Sequence, residues 1–360
     1  MRRLLILPIL LALLLVPDQA HAAVVAQLVA GGLNNPSSFT FTPNGKIVYG
    51  ERLIGEIHLF DPATQADTLI YTVTNVSTQG EQGLLGLAID PQFLSGQPFG
   101  YAYATRNNGG QLQNQILKIR YRPGQPPTSS VIFTSDTTAG TYHDGGRILF
   151  GPDGMLYAVI GESHTSANAQ NLDLTAGKIV RMTRNGTAPS DNPFVGIAGD
   201  DLVWSYGHRN SYGFTFDPIT GALVETENGP ECNDELNPIV KGGNYAWGPN
   251  ETCFGTAPQN TNQDGPNRRL PIRWYTPTIA PTGAAFCVGC GLTGKEGHFL
   301  FGDNNFGRIH DIVLTADRMG FVSEGPILYT HPRAVYSVER GPGGVIYFSE
   351  PTGIYKLVQQ

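Results

Sequence analysis

The chain has 360 residues and a formal net charge of −7, from 23 Lys and Arg against 30 Asp and Glu, with only 15% charged residues. Without a basic stripe, this balance argues against a nucleic-acid partner. The length exceeds what one ordinary core fills, so the chain holds either two domains or a repeating architecture.

At the N-terminus, Arg2 and Arg3 precede a leucine-rich run over residues 4–16, followed by Ala20-His21-Ala22. A basic start, a short apolar run and a small-x-small site read as a signal peptide over residues 1–22, cleaved after Ala22. The run is too short to span a bilayer as a helix, and no later stretch is longer and equally apolar. The expectation is an exported mature chain, residues 23–360, that is periplasmic or secreted and not inserted in a membrane.

From residue 23 onward helical periodicity is nearly absent, and one phrase recurs: a turn, a Gly, then a β-rich apolar run. It stands as TPNGKIVYG from Thr42, GPDGMLYAV from Gly151, DPITGALVET from Asp217 and GPGGVIYFS from Gly341. Weaker versions are LAIDPQF at Leu87 and FGDNNFGRIHDI at Phe301. Pro and Gly set the turn, and β-branched or aromatic residues carry the strand. Six phrases allot roughly 56 residues to each unit, enough for four short strands and their loops. The predicted fold is all-β, a single six-bladed β-propeller of four-stranded antiparallel blades over residues 23–360. Residues 353–358 are expected to pair with residues 24–29 and close the ring. A pair of β-sandwiches is the alternative, but it predicts no sixfold phrase.

TYHDGGRILFGPDG begins at Thr141 and puts His143 just ahead of Gly145, Gly146 and Arg147. Glycines let a ligand approach the backbone, and a neutral imidazole accepts a proton from a hydroxyl. Glu162 ends the strand that follows and is placed to orient His143. The competing reading is a turn His whose glycines serve the bend. His208 lies beside Arg209 and Asn210 in WSYGHRNSYGFTFDP. His58, His164, His298, His310 and His331 read as surface or hydrogen-bonded loop residues.

Residues 227–237, ENGPECNDELN, carry Glu227, Glu231, Asp234 and Glu235. Such a turn-rich acidic loop suits Ca²⁺ or is simply solvated. Cys232, Cys253, Cys287 and Cys290 allow three pairings. Proximity favours Cys232–Cys253 and Cys287–Cys290, and no zinc spacing competes. Sequons at Asn75, Asn185 and Asn250 read as chance matches.

GEQGLLGLAIDPQF, HDGGRILFGPDGMLYAVIGE, GKIVRMTRNGTAPSDNPF, WSYGHRNSYGFTFDPITGAL and ENGPECNDELNPIVKGGNYAWG occur in this order. Together they resemble the soluble pyrroloquinoline-quinone (PQQ)-dependent sugar dehydrogenases, the glucose/sorbosone or aldose sugar dehydrogenase family. The resemblance covers nearly the whole mature chain. It implies a six-bladed propeller that oxidises a small-molecule aldose sugar or related alcohol with PQQ and Ca²⁺. His143 matches the family's general base and Glu162 the carboxylate that holds it. Arg209 matches the Arg that stabilises charge on the quinone, with Asn210 as a cofactor contact. Gly229 and Pro230 match the carbonyls that hold the calcium. Glu81, Asp234 and Thr278 match cofactor neighbours.

This sequence departs from the family pattern where the quinone's carboxylates find cations. Asn305 stands at a Lys position, and Ala334 and Tyr336 stand at Arg positions. Arg333 is adjacent and is the expected substitute; Arg308 is close. Thr276 stands where an aromatic covers the cofactor, with Trp274 and Tyr275 just before it. Two other functions fit a propeller: non-catalytic binding of a protein or glycan partner, as in the related Hedgehog-interacting proteins, and a calcium-dependent hydrolase of lactonase type. The sequence names no electron acceptor.

Overall fold

A computed structural model describes residues 23–360; the signal-peptide reading falls on residues 1–22, outside the described residues. Six antiparallel sheets make six blades. Blade 1 comprises Ser38–Phe41, Ile47–Glu51, Glu56–Asp61 and Ala66–Thr72, and blade 2 comprises Leu84–Ile89, Phe99–Asn108, Gln111–Arg120 and Thr128–Thr134. Blade 3 is Gly145–Phe150, Leu156–Ile160, Lys178–Met182 and Val203–Tyr206, and blade 4 is Ser211–Phe216, Leu223–Glu227, Asp234–Ile239 and Arg273–Tyr275. Blade 5 is Pro281–Phe286, Phe299–Asp303, Arg308–Leu314 and Phe321–Glu324, with Tyr329–Thr330 added on Arg308–Leu314. Blade 6 takes Ser337–Arg340, Ile346–Glu350 and Gly353–Gln359 from one chain end and Val24–Gly31 from the other.

The first strand of blades 1–5 and Ser337–Arg340 of blade 6 touch their neighbours around a closed ring, so these are the innermost strands. The ring closes as expected: Val24 pairs with Gln359 and Gly31 with Gly353, with one irregularity between Leu28 and Ala30. The repeated phrase is the hairpin between the first two strands of a blade. Gly45, Gly154, Gly221 and Gly343 all take positive φ there, as turns entering a twisted hairpin require. FGDNNFGRIHDI differs. It joins the second and third strands of blade 5, and the first hairpin of that blade is instead the longer loop bridged by Cys287–Cys290. Among the described residues there are no α-helices, only short 3₁₀ turns.

Six apolar clusters hold the ring, one at each blade-to-blade interface. Tyr101, Tyr103 and Ile116 of blade 2, for example, pack on Ile148, Leu156 and Val180 of blade 3. The second strand of each blade is mostly buried on both faces, whereas outer strands such as Ala66–Thr72 and Thr128–Thr134 are largely exposed. Below the mouth of the ring, Arg147 of blade 3 donates through Nη1 to Glu339 Oε1 of the opposite blade 6 at 3.2 Å. Ser337 Oγ donates to the same oxygen at 3.1 Å. This pair ties opposite sides of the hub together.

Candidate active site

The segments leading into the inner strands meet at one end of the ring and enclose a cavity of about 230 Å³. Blade 1 contributes Ser37 and Arg52, the approach to blade 2 contributes Gly80 and Glu81, and blade 4 contributes Asn210, Tyr212 and Asn228. Ala280, Pro281, Thr282 and Asn304 come from blade 5, and Tyr336 from blade 6.

His143 directly precedes the inner strand of blade 3 and takes a φ of 65°, which is uncommon for a non-glycine residue. Its Nδ1 lies 2.5 Å from Glu162 Oε1, and both side chains are nearly fully buried. The register explains the meeting. Gly145 pairs with Ile160, so residues two positions beyond on each strand emerge side by side. The contact is the one that an Nδ1–H imidazole makes with a carboxylate, a tautomer that leaves Nε2 as an acceptor. Nε2 has no partner among the described residues. The second oxygen of Glu162 accepts the backbone N–H of Thr165, and the Glu162 N–H donates to the Arg209 carbonyl at 2.9 Å.

Glu81 links His143 to blade 4. Its Oε2 accepts the His143 backbone N–H at 2.8 Å and Asn210 Nδ2 at 3.0 Å. Arg209 donates through Nη1 to Asn228 O at 2.9 Å and through its backbone N–H to Glu227. Its guanidinium lies 5.3 Å from the ring centre of Trp247. Burial lowers its pKa, opposed by Glu162, Glu227, Glu81 and Asp234. Arg209 Nε and Asn210 Oδ1 are buried without hydrogen-bond partners.

A smaller hollow beside Arg209 is lined by Glu227, Gly229, Pro230, Glu235, Trp247 and Asn262, among others. Asp234 clamps its edge. One carboxylate oxygen accepts from Gly229 N at 2.8 Å, the other from Ile279 N and Ala280 N at 2.6 and 2.8 Å. Burial lifts Asp234 to about 6 against those hydrogen bonds. A Cβ at Gly229 would lie 2.1 Å from the Cys232 carbonyl, so only glycine fits this turn. Both proposed disulfides are present, and Cys232–Cys253 ties this loop to the following one.

Beneath the hollow, His208, Glu225 and Glu227 form a buried group whose ligand-type atoms converge. His208 Nδ1 is 3.0 Å from Glu225 Oε2 and 3.6 Å from Glu227 Oε2. These atoms are close as ions but poorly aligned as hydrogen bonds, because His208 Nδ1 and Glu225 Oε2 lack hydrogen-bond partners. Burial opposes the imidazolium, but Glu225 and Glu227 outweigh it and bring His208 up to about 9. Glu235 is held above the ordinary carboxylate range by burial and by Glu227.

The structure thus gathers His143, Glu162, Glu81, Arg209, Asn210, Asp234, Gly229 and Pro230 around two adjoining hollows. Thr278 lies on the segment just before Ala280, and its carbonyl accepts Asn305 Nδ2 at 3.2 Å. Arg333 donates to Glu350 and Thr352, and its side chain is half exposed. Arg308 stacks on Phe306. Neither Arg lines either hollow. Tyr336 lines the main cavity and its hydroxyl donates to Asn35 Oδ1 at 3.3 Å. Tyr275 is buried against blade 5, and Thr276 hydrogen-bonds Asn233. Sequence reasoning missed Arg52, Tyr212 and Trp247. For Trp247 a signal existed, since it lies in the NYAWG stretch of a matched motif.

The family profile described as Glucose / Sorbosone dehydrogenase matches residues 33–357. The aldose sugar dehydrogenase YliI of Escherichia coli is 26% identical over 91% of this chain and 90% of its own length. The quinoprotein glucose dehydrogenase B of Acinetobacter calcoaceticus is 31% identical over 61% of this chain and 52% of its own length. The PQQ-bound structure of the aldose sugar dehydrogenase from Streptomyces coelicolor superposes with a TM-score of 0.76 at 27% identity, covering 94% of this chain and 99% of that one. With the profile spanning almost all of the propeller, this chain belongs to the glucose/sorbosone dehydrogenase family.

Proposed function

We propose that this protein oxidises aldose sugars or related alcohols by hydride transfer to PQQ in the presence of Ca²⁺, with His143 as the general base. The observation that carries the reading is the His143–Glu162 couple, with Nε2 free, next to two buried polar atoms that have no protein partner, Arg209 Nε and Asn210 Oδ1. Buried polar atoms are nearly always satisfied, so these two fit a polar ligand. Arg209, Asn210, Glu81 and Thr278 would hold the quinone; Arg333, the carboxylate partner expected from the sequence, lines neither hollow. The carbonyls of Gly229 and Pro230 would hold the calcium beside the carboxylates of the smaller hollow. When bound, the quinone supplies the hydride acceptor that no side chain here provides.

The protein's own part follows from the geometry. Glu162 fixes the Nδ1–H tautomer of His143, so Nε2 accepts the proton of the substrate hydroxyl. The imidazolium that forms is stabilised by the same carboxylate at 2.5 Å. Arg209, stacked on Trp247 and withdrawn from solvent, stabilises negative charge arising beside it. Two disulfides suit an oxidising compartment, in keeping with a periplasmic or secreted protein after signal cleavage.

The test is a PQQ titration of the purified apoprotein by absorbance, with and without Ca²⁺, followed by dye reduction with a panel of sugars. Quinone binding and turnover by wild type, with binding but no turnover by His143→Ala, is the expected result. No quinone binding and no turnover sinks the reading.

A further inference from the structure

Arg52 is the one Lys or Arg among the described residues lining the main cavity. It directly follows the second strand of blade 1, at the mouth of the ring. Its Nη1 donates to the carbonyls of Gly80 and Gln82, both at 3.0 Å. Among the described residues its Nε and Nη2 take no hydrogen-bond partner, and no carboxylate lies within ion-pair distance. The stem is equally fixed. Gly83, at a φ of 149°, leaves the space that Arg52 fills: a Cβ there would lie 2.4 Å from Arg52 Cγ. Arg52 O accepts the Leu84 N–H at 3.1 Å. The guanidinium is therefore anchored on the loop that carries Glu81, with one edge uncommitted. A planar fork of this kind suits carboxylates, which it engages through paired N–H bonds.

The rest of the lining fits an anionic, hydrogen-bonding ligand. Asn210, Asn228 and Asn304 supply amides, and Tyr212 and Tyr336 supply phenols. Among the described residues lining the cavity Glu81 is the only carboxylate, and one of its oxygens already accepts two donors.

We propose that Arg52 is the cavity's carboxylate anchor: it binds a carboxylate of the quinone where Asn305, Ala334 and Tyr336 provide no charge. This rests on the quinone-dependent function proposed above. It assigns to blade 1 a cationic contact that the sequence placed near the last blade, at Arg333.

The experiment compares two ligands on the apoprotein with Ca²⁺, by equilibrium titration of tryptophan fluorescence: PQQ itself and its trimethyl ester, in which the carboxylates are masked. Wild type should prefer the free acid. Arg52→Ala should weaken free-acid binding by about 10–100-fold, the scale of a lost charge-assisted hydrogen bond, and leave ester binding essentially unchanged. Arg52→Lys should fall between. A ligand-free thermal melt checks that the Gly80–Gln82 carbonyls survive the change. Equal weakening of both ligands would mean that Arg52 only shapes the Glu81 loop, and free-acid binding unchanged in Arg52→Ala would mean that it contacts no carboxylate; either overturns the proposal while leaving the quinone reading intact. Failure of wild type to bind either ligand removes that reading and this proposal together.

Discussion

Glu162→Gln changes one oxygen to nitrogen, yet the surroundings make it a severe substitution. Wild-type Glu162 faces two groups: His143 Nδ1 at 2.5 Å and the backbone N–H of Thr165. The Thr165 N–H can only donate, so it claims the single oxygen of the new amide. The amide NH₂ is then turned toward His143 and stabilises the tautomer with a bare Nδ1 and a protonated Nε2. That tautomer cannot accept the substrate proton. A positioned general base contributes about 10²–10⁴-fold, or roughly 3–5 kcal/mol at 1.36 kcal/mol per decade. We expect kcat to fall by about 10³-fold in Glu162→Gln, with the sugar KM and the PQQ affinity nearly unchanged. Glu162→Ala removes the carboxylate without enforcing the wrong tautomer, so it should lose less, about 10–100-fold. Dye-linked steady-state kinetics with PQQ titration of each variant make the comparison. A Gln variant more active than the Ala variant would refute the tautomer reasoning.

Other consequences are equally open to measurement. His208 is raised from its ordinary value to about 9 by Glu225 and Glu227 despite its burial, so the folded state holds the extra proton between about pH 6.5 and 9. That contribution is complete below about pH 6.5 and fades as the pH rises through about 9; thermal melts across this range should show a steeper alkaline decline in wild type than in His208→Gln. The same variant should lose about 3–5 kcal/mol at neutral pH by leaving buried carboxylates unpaired, and urea unfolding within 1 kcal/mol of wild type (about the scale of a single ordinary hydrogen bond) would contradict the ion-pair assignment. Deleting residues 24–31 bares the edge of Gly353–Gln359, and size-exclusion chromatography should reveal aggregation in place of a monodisperse species. Replacing Cys232 and Cys253 together by Ser opens a loop with a sequence separation of 21; the expected cost is about 3 kcal/mol in denaturant unfolding, and no change would mean that the loop is held by its hydrogen bonds alone.

The fold was legible because four blades announce their first hairpin with a positive-φ glycine behind a tight turn. Where the hairpin is longer the signal fails. In blade 2 it contains a 3₁₀ turn at Phe93–Ser95, and in blade 5 it is bridged by Cys287–Cys290. The FGDNNFG phrase was therefore counted in the wrong hairpin although the number of blades came out right. His143 and Glu162 were readable together because they flank the two strands of one hairpin, and local register alone brings them side by side. Arg52 was not readable. Its carbonyl partners lie 28 and 30 residues onward in the segment leading to blade 2, and its free edge meets the cavity only once the ring has closed. Trp247 was legible only as part of a matched motif; that it reaches Arg209 from a loop beyond the third strand of its blade was not. Sequence spacing reports neighbours within a blade; contacts across the hub depend on the angle at which blades meet.

Blade 6 is built from both ends of the chain, with Val24–Gly31 laid outside Gly353–Gln359. A polypeptide emerging from its N-terminus cannot complete this sheet until its final strand has been delivered. The latch is the most non-local strand pairing among the described residues, and such pairings form slowly because the loop they close must be ordered first. Until then the first strand is a hydrogen-bonding edge without a neighbour, open to rescue or capture by other factors. Completion of blade 6 thus waits on the strand Gly353–Gln359.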